Sequence, residues 1–173
     1  MKFGIDAFGG DHARSGIGSY IHSFTANIVS APDVQFELFG SELDRYTYNS
    51  DKDIPYTAVP VPDSLVAERF WHFMRANAFA AKAGYDCVLY PAVERVLPLS
   101  FTVPGVAVVN SIVSSFFKEK PDRVLRFQIR RGFDAVQKII APSKFIKHDL
   151  MRGGVNPAKI VVIHNGIDHR LFF

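Results

Sequence analysis

The chain has 173 residues, 48% hydrophobic, 13% aromatic and 21% charged, which suits one globular domain with a full apolar core and excludes a disordered chain. Its single cysteine, Cys87, excludes an internal disulfide and a multi-cysteine metal centre, and points to a reducing compartment, the cytoplasm. Net charge is +3, but residues 118–152 hold ten Lys/Arg against four Asp/Glu, so one segment carries the basic character and the remainder is acidic.

Short, nearly continuous apolar runs alternate with longer stretches of helical period, as in βαβ units around a mainly parallel sheet. The first strand is Lys2 to Ala7. No signal-peptide core accompanies it, and no apolar run in the chain reaches the roughly 18 residues that a membrane span needs. A helix then opens at Ser15-Gly16-Ile17-Gly18, where Ile17, Ile21, Phe24 and Ile28 share one face. Strands follow at Val34 to Phe39 and Tyr56 to Val61. A second helix, about Ser64 to Ala83, presents Leu65, Phe70, Trp71, Phe73, Met74, Ala78 and Phe79 as a broad apolar surface, with Trp71 and Met74 read as core, and stops at Gly84.

Strands at Asp86 to Tyr90 and Val106 to Val109 precede a third helix, about Pro121 to Val136. There Pro121 fits the first turn and Leu125, Ile129, Phe133 and Val136 face inward. A strand at Lys138 to Ala141, a helix from the N-cap Ser143 to Gly153-Gly154, and a strand at Ile160 to Ile163 complete seven strands. The expected fold is α/β, a Rossmann-like, doubly wound, mainly parallel seven-stranded sheet. Residues 1–165 read as one domain and 166–173 as the start of an interdomain linker.

The first strand leads into Phe8-Gly9-Gly10-Asp11-His12-Ala13-Arg14-Ser15-Gly16-Ile17-Gly18. Small residues let the backbone approach a ligand, and free N–H groups at a helix start favour phosphate, although a tight turn alone would also call for glycine. Ile21 stands where a dinucleotide fingerprint needs a third small residue, which argues against a nicotinamide-binding oxidoreductase or epimerase. Ser15, Gly16, Gly18 and Arg14 are the candidate phosphate contacts. On that reading, Gly18→Val blocks the phosphate approach and cuts turnover while the fold survives. Glu94 and Arg95 follow the fourth strand, where open α/β sheets bind ligands, and are candidate acceptor contacts with His12; a solvated loop is the plain alternative.

Asn110-Ser111 follow the fifth strand and either bond substrate hydroxyls or cap a loop. His22, His72, His148, His164 and His169 show no metal-ligand spacing, and no metal is implied. Lys120, Arg123, Arg126 and Arg130 recur at three, three and four along one helix face. That ridge is either a solvated face or a contact for anionic headgroups, worth up to about 1 kcal/mol per residue near a membrane. No nucleic-acid motif accompanies it.

Five segments in order resemble glycosyltransferase family 4. They are Arg14-Ser15-Gly16-Ile17-Gly18-Ser19-Tyr20; Tyr85-Asp86-Cys87-Val88-Leu89-Tyr90-Pro91 with Leu97-Pro98-Leu99; Ala141-Pro142-Ser143-Lys144-Phe145 with Asp149-Leu150; Gly153-Gly154-Val155-Asn156-Pro157-Ala158-Lys159-Ile160; and Val162-Ile163-His164-Asn165-Gly166-Ile167-Asp168. The resemblance implies the N-terminal, acceptor-side half of a two-domain GT-B enzyme. Such an enzyme moves a hexose of mannose or glucose type, with retention, from a nucleotide-diphosphate sugar to a saccharide or lipid-linked acceptor in surface polysaccharide or glycolipid synthesis.

It implies no cofactor and no metal, and a peripheral place at the inner face of the cytoplasmic membrane. The C-terminal donor-binding domain, with its carboxylate pair and basic residues, is not in this chain, so the chain by itself is expected to lack useful transferase activity. Where the family usually has His-Asp, this chain has Asn110-Ser111, assigned to the reacting sugar by position. The resemblance implies that the departing phosphate takes the acceptor proton, so loss of a base is compatible with transfer. A non-catalytic binding domain remains the rival reading.

Overall fold

The computed structural model describes residues 1–28, 31–48, 54–112 and 123–166. Lys120, Pro121 and 167–173 lie outside them, as does the side chain of Leu125. Seven strands, β1 (Lys2–Asp6), β2 (Gln35–Gly40), β3 (Tyr56–Ala58), β4 (Cys87–Tyr90), β5 (Gly105–Val108), β6 (Lys138–Ala141) and β7 (Ile160–Val162), form one sheet in the order β3-β2-β1-β4-β5-β6-β7. Every pairing is parallel. The helices are α1 (Gly16–Asn27), α2 (Leu65–Met74), α3 (Ala76–Lys82), α4 (Arg123–Ala135) and α5 (Lys144–Arg152).

Period-2 alternation sorts strand side chains between two cores. Ile5 and Ala7 of the β1 segment and Leu38 of β2 meet Ile21 and Ile28 of the α1 segment on one face. On the other face Phe39, Val88, Tyr90, Ala107, Ile139 and Ala141 meet Ala80 of α3, Ile129 and Phe133 of α4, and Ile146 and Leu150 of α5. Each large side chain buried here contributes about 1.5–3 kcal/mol, so the two cores rather than helix propensity hold the layers. Gly132 lets α4 settle on the segment after β4, since a Cβ there would lie 2.4 Å from Leu97. Gln128 Nε2 donates to the Leu97 carbonyl at 2.7 Å beside it. Lys159 closes the end of α4, its ammonium donating to the Asp134 and Val136 carbonyls at 2.5 and 2.8 Å, which the negative pole of a helix favours.

Two expectations are corrected. The helix read over Ser64 to Ala83 is two helices that break at Arg75 (φ −123°), a bend that leaves both Trp71 and Phe79 against Phe39. Its inward face is His72, Ala76 and Ala80, while Phe70, Phe73 and Met74 are 65%, 50% and 55% exposed. The exposed Phe70, Phe73 and Met74 set the apparent phase in the sequence, whereas the fully buried positions are His72 and two alanines, flanked by Trp71 and Phe79. Among the described residues, no helix is long and apolar enough to cross a membrane.

Candidate functional site

The chain leaves β1 towards β2 on one side and leaves β4 towards β5 on the other, so the order of the sheet reverses between β1 and β4, and the carboxyl edge at such a switch point is the usual ligand position in these sheets. The segments after β1 and β4 nearly touch at Gly9 (φ +74°), where a Cβ would stand 2.8 Å from Ala92 Cβ. Beyond it Asp11, His12 and Ala13 have φ of 55°, 50° and 62°. Three consecutive non-glycine residues in the left-handed region cost about 1–2 kcal/mol each, so their surroundings must hold them there.

The bonds that do so converge from several elements. His12 Nδ1 lies 2.8 Å from Asp44 Oδ1, and Ala13 N donates to the Tyr48 hydroxyl at 2.9 Å. Arg95 Nη1 donates to the Gly9 carbonyl at 3.0 Å, and Ser15 Oγ donates to the Gly10 carbonyl at 3.0 Å. Burial pushes the Tyr48 phenol up to about 12. The hydrogen bond to Asp44 raises His12 against the opposing effect of partial burial, and burial in turn raises Asp44 despite the imidazole beside it.

Helix α1 starts where this loop ends. Ser15 is its N-cap, with Oγ accepting from Gly18 N at 3.2 Å. This corrects the part expected of Gly18. Its amide is turned to Ser15, and the residue is glycine because a Cβ would fall 2.4 Å from Ala13 Cα and from the Gly10 carbonyl oxygen. The amides of Gly16 and Ile17 have no intrahelical acceptor and none among the described residues. Gly16 and Arg14 are exposed, and nothing lies within 4 Å of a Cβ at Gly16.

Beneath the loop lies a pair that sequence reading missed. Asp6, last residue of β1, accepts from Phe8 N at 2.9 Å through Oδ1 and meets His72 Nε2 at 2.7 Å through Oδ2. His72 Nδ1 donates to the Glu68 carbonyl at 2.6 Å, and both side chains are fully enclosed, 0% and 1% exposed. Burial pulls the imidazole down, but the Asp6 carboxylate and the Glu68 carbonyl outweigh it and raise its pKa. An aspartate closing an apolar strand is a signal in itself, because a buried carboxylate needs a partner. The partner is 66 residues away and only the fold brings it near.

After β5, Asn110 has both amide atoms enclosed and without a hydrogen-bond partner among the described residues. Ser111 is exposed, and its N–H donates to Glu94 Oε1 at 2.9 Å, tying the segment after β5 to that after β4. His12 and Arg95, expected as acceptor contacts, each bond to protein atoms, and the Arg95 carbonyl also accepts from Arg69 Nε at 3.0 Å. Arg123 and Arg130 are exposed on α4 and Arg126 is half-buried there. Among the described residues no group of three His, Cys, Asp or Glu side chains could hold a metal.

No curated protein matches the chain in sequence. Among solved structures, HepE of Anabaena in complex with UDP-glucose is 18% identical with a TM-score of 0.66, covering 99% of this chain and 46% of that one. The lipopolysaccharide outer core galactosyltransferase WaaB, in its apo form, is 14% identical with a TM-score of 0.52, covering 97% and 46%. The UDP-GlcNAc 2-epimerase from Methanocaldococcus jannaschii is 14% identical with a TM-score of 0.56, covering 95% and 46%. The chain thus spans less than half the length of these proteins, and at such identities the likeness is one of fold. The family model named Glycosyltransferase Family 4 matches residues 14–171, from the glycine-rich loop past β7. By that match the chain belongs to Glycosyltransferase Family 4.

Proposed function

We propose that this chain is the acceptor-side domain of a retaining hexosyltransferase that uses a nucleotide-diphosphate sugar and is completed by a second, donor-binding domain. The observation that carries the reading is a pair of polar features at the carboxyl edge. Among the described residues the amides of Gly16 and Ile17 are unpartnered at the start of α1, and the enclosed amide of Asn110 is unpartnered after β5. β1 and β5 flank β4 in the sheet, which sets their ends roughly 10 Å apart. An anion at the first and a sugar hydroxyl at the second would use groups that otherwise lack partners among the described residues.

In this reading Gly16, with Ser15 as its cap and Arg14 beside it, meets the donor phosphates, and Asn110 and Ser111 meet the reacting sugar. Asn110 cannot titrate, so the leaving phosphate rather than a side chain takes the acceptor proton. Family membership supports a transferase, and the UDP-glucose named for the HepE complex suits a diphosphate sugar. The epimerase likeness rests on fold alone.

Titrating the isotopically labelled chain with pyrophosphate, then with UDP-glucose, tests the reading. The amide resonances of Gly16 and Ile17 are expected to move, and the capped Gly18 amide to move less. Movement elsewhere, with none at Gly16 and Ile17, would overturn it. Retention is read separately from the anomeric configuration of the product made by the complete enzyme. The acceptor we propose is a saccharide, free or lipid-linked, met at the inner face of the cytoplasmic membrane through Arg123, Arg126 and Arg130. Co-sedimentation with vesicles rich in phosphatidylglycerol should fall when these three are replaced by Gln; unchanged sedimentation removes the membrane contact.

A further inference from the structure

The left-handed turn Asp11-His12-Ala13 is the strained part of the loop, and His12 is its central residue. The imidazole is the one side chain of the turn that bonds to another element. Its Nδ1 reaches Asp44 Oδ1 at 2.8 Å, and its Nε2 lies 3.6 Å from Asp63 Oδ1. The two carboxylates differ: Asp44 has a side chain 7% exposed and also receives Ser41 Oγ at 3.4 Å, whereas Asp63 is 58% exposed. The Asp44 contact is therefore fixed by the protein on both sides, and the Asp63 contact is open to water and screened. Immediately beyond the turn, Gly18 packs on Ala13 and Gly10 with no room for a methyl group, so any shift of the turn is passed to the first residues of α1.

We propose that His12 is a positioning residue: through its Nδ1 bond to Asp44 it holds the left-handed turn, and thereby sets the place at which the Gly16 and Ile17 amides meet the donor phosphates. The inference rests on the reading of those two amides given above and reassigns His12 from acceptor contact to loop clamp. It makes an unusual demand on the side chain. The residue must tolerate a positive φ and carry a donor at the position of Nδ1. Asparagine meets both requirements, since it is enriched in the left-handed region and its Nδ2 overlies the imidazole Nδ1. Glutamine carries its donor one bond further out, towards Asp63.

The test compares His12→Ala, His12→Asn and His12→Gln in the labelled chain, without ligand and with pyrophosphate. Without ligand, the Ala13 amide, which donates to Tyr48, should exchange with solvent about tenfold faster in the Ala and Gln variants and keep its protection in the Asn variant. With pyrophosphate, affinity read at Gly16 and Ile17 should fall about tenfold in the Ala and Gln variants and stay within about twofold in the Asn variant. Amides of β5 and β6 report whether the rest of the domain is intact. If His12→Ala leaves the Ala13 exchange and the Gly16 and Ile17 resonances unchanged, or if Gln restores them and Asn does not, the clamp is refuted. If the wild-type chain fails to bind pyrophosphate, the anion reading falls, and the ligand-free exchange still decides whether His12 holds the turn.

Discussion

His72→Leu is expected to lower the unfolding free energy by about 3–5 kcal/mol, whereas Asp6→Asn lowers it by no more than about 1.5 kcal/mol. The two differ because of what each leaves behind. Leucine strands the Asp6 carboxylate beneath the glycine-rich loop with only Phe8 N as donor among the described residues, while the Glu68 carbonyl keeps its bond inside α2. Asparagine keeps an oxygen for Phe8 N and supplies an N–H to His72 Nε2. The imidazole, neutral with its proton on Nδ1, still donates to Glu68, so every polar atom retains a partner.

The same pair gives the protein a slope in pH. Because the folded-state pKa of His72 is raised, the paired imidazolium contributes fully below about 6.5, the ordinary histidine value, and its contribution is lost as pH climbs through the raised value. Urea midpoints measured from pH 6 to pH 9 should therefore decline in the wild-type chain over that window and flatten in Asp6→Asn. Equal slopes in the two proteins would show that the pair carries no charge in the fold.

Gly18→Val is the second substitution with a large effect, and the reason is internal to the protein. A Cβ at residue 18 meets the Ala13 Cα and the Gly10 carbonyl at 2.4 Å, and neither can swing aside as a flexible side chain would. Either the loop is pushed off α1 or the helix start unwinds, at a cost of about 1–3 kcal/mol. The Gly16 and Ile17 amides are displaced in both cases, so pyrophosphate should no longer move their resonances. Gly16→Ala is the control: nothing lies near its Cβ, and stability should change by no more than about 0.5 kcal/mol. A Gly18→Val protein with the wild-type melting curve and unchanged loop resonances would contradict the packing at this contact.

Much of the architecture is legible in the residues because parallel strands and crossover helices leave periodic traces. Ile17, Ile21, Phe24 and Ile28 mark the face of α1, and Ser143 with Gly153-Gly154 brackets α5 as capping chemistry requires. The second helical stretch is where period fails. Its inward face, His72, Ala76 and Ala80, is less apolar than the Phe70, Phe73 and Met74 that it turns to solvent. Of the site, the glycine-rich loop could be placed by its position after β1, and Asn110-Ser111 by position after β5. The roles of Asp6, Asp44 and Tyr48 could not, because each depends on a partner brought near by tertiary folding rather than by neighbourhood in the chain.

The central pairing of the sheet joins Phe3 to Cys87 and Ile5 to Leu89. Unlike a hairpin, this junction cannot form until a loop of more than eighty residues closes, with two strands and three helices in between. Closing so long a loop must be met in entropy before the β1–β4 contacts return anything, which places the domain among slow folders. The carboxyl edge at the β1–β4 boundary is therefore among the last features to take shape, and a nascent polypeptide can present no ligand-ready surface until β4 has emerged and docked.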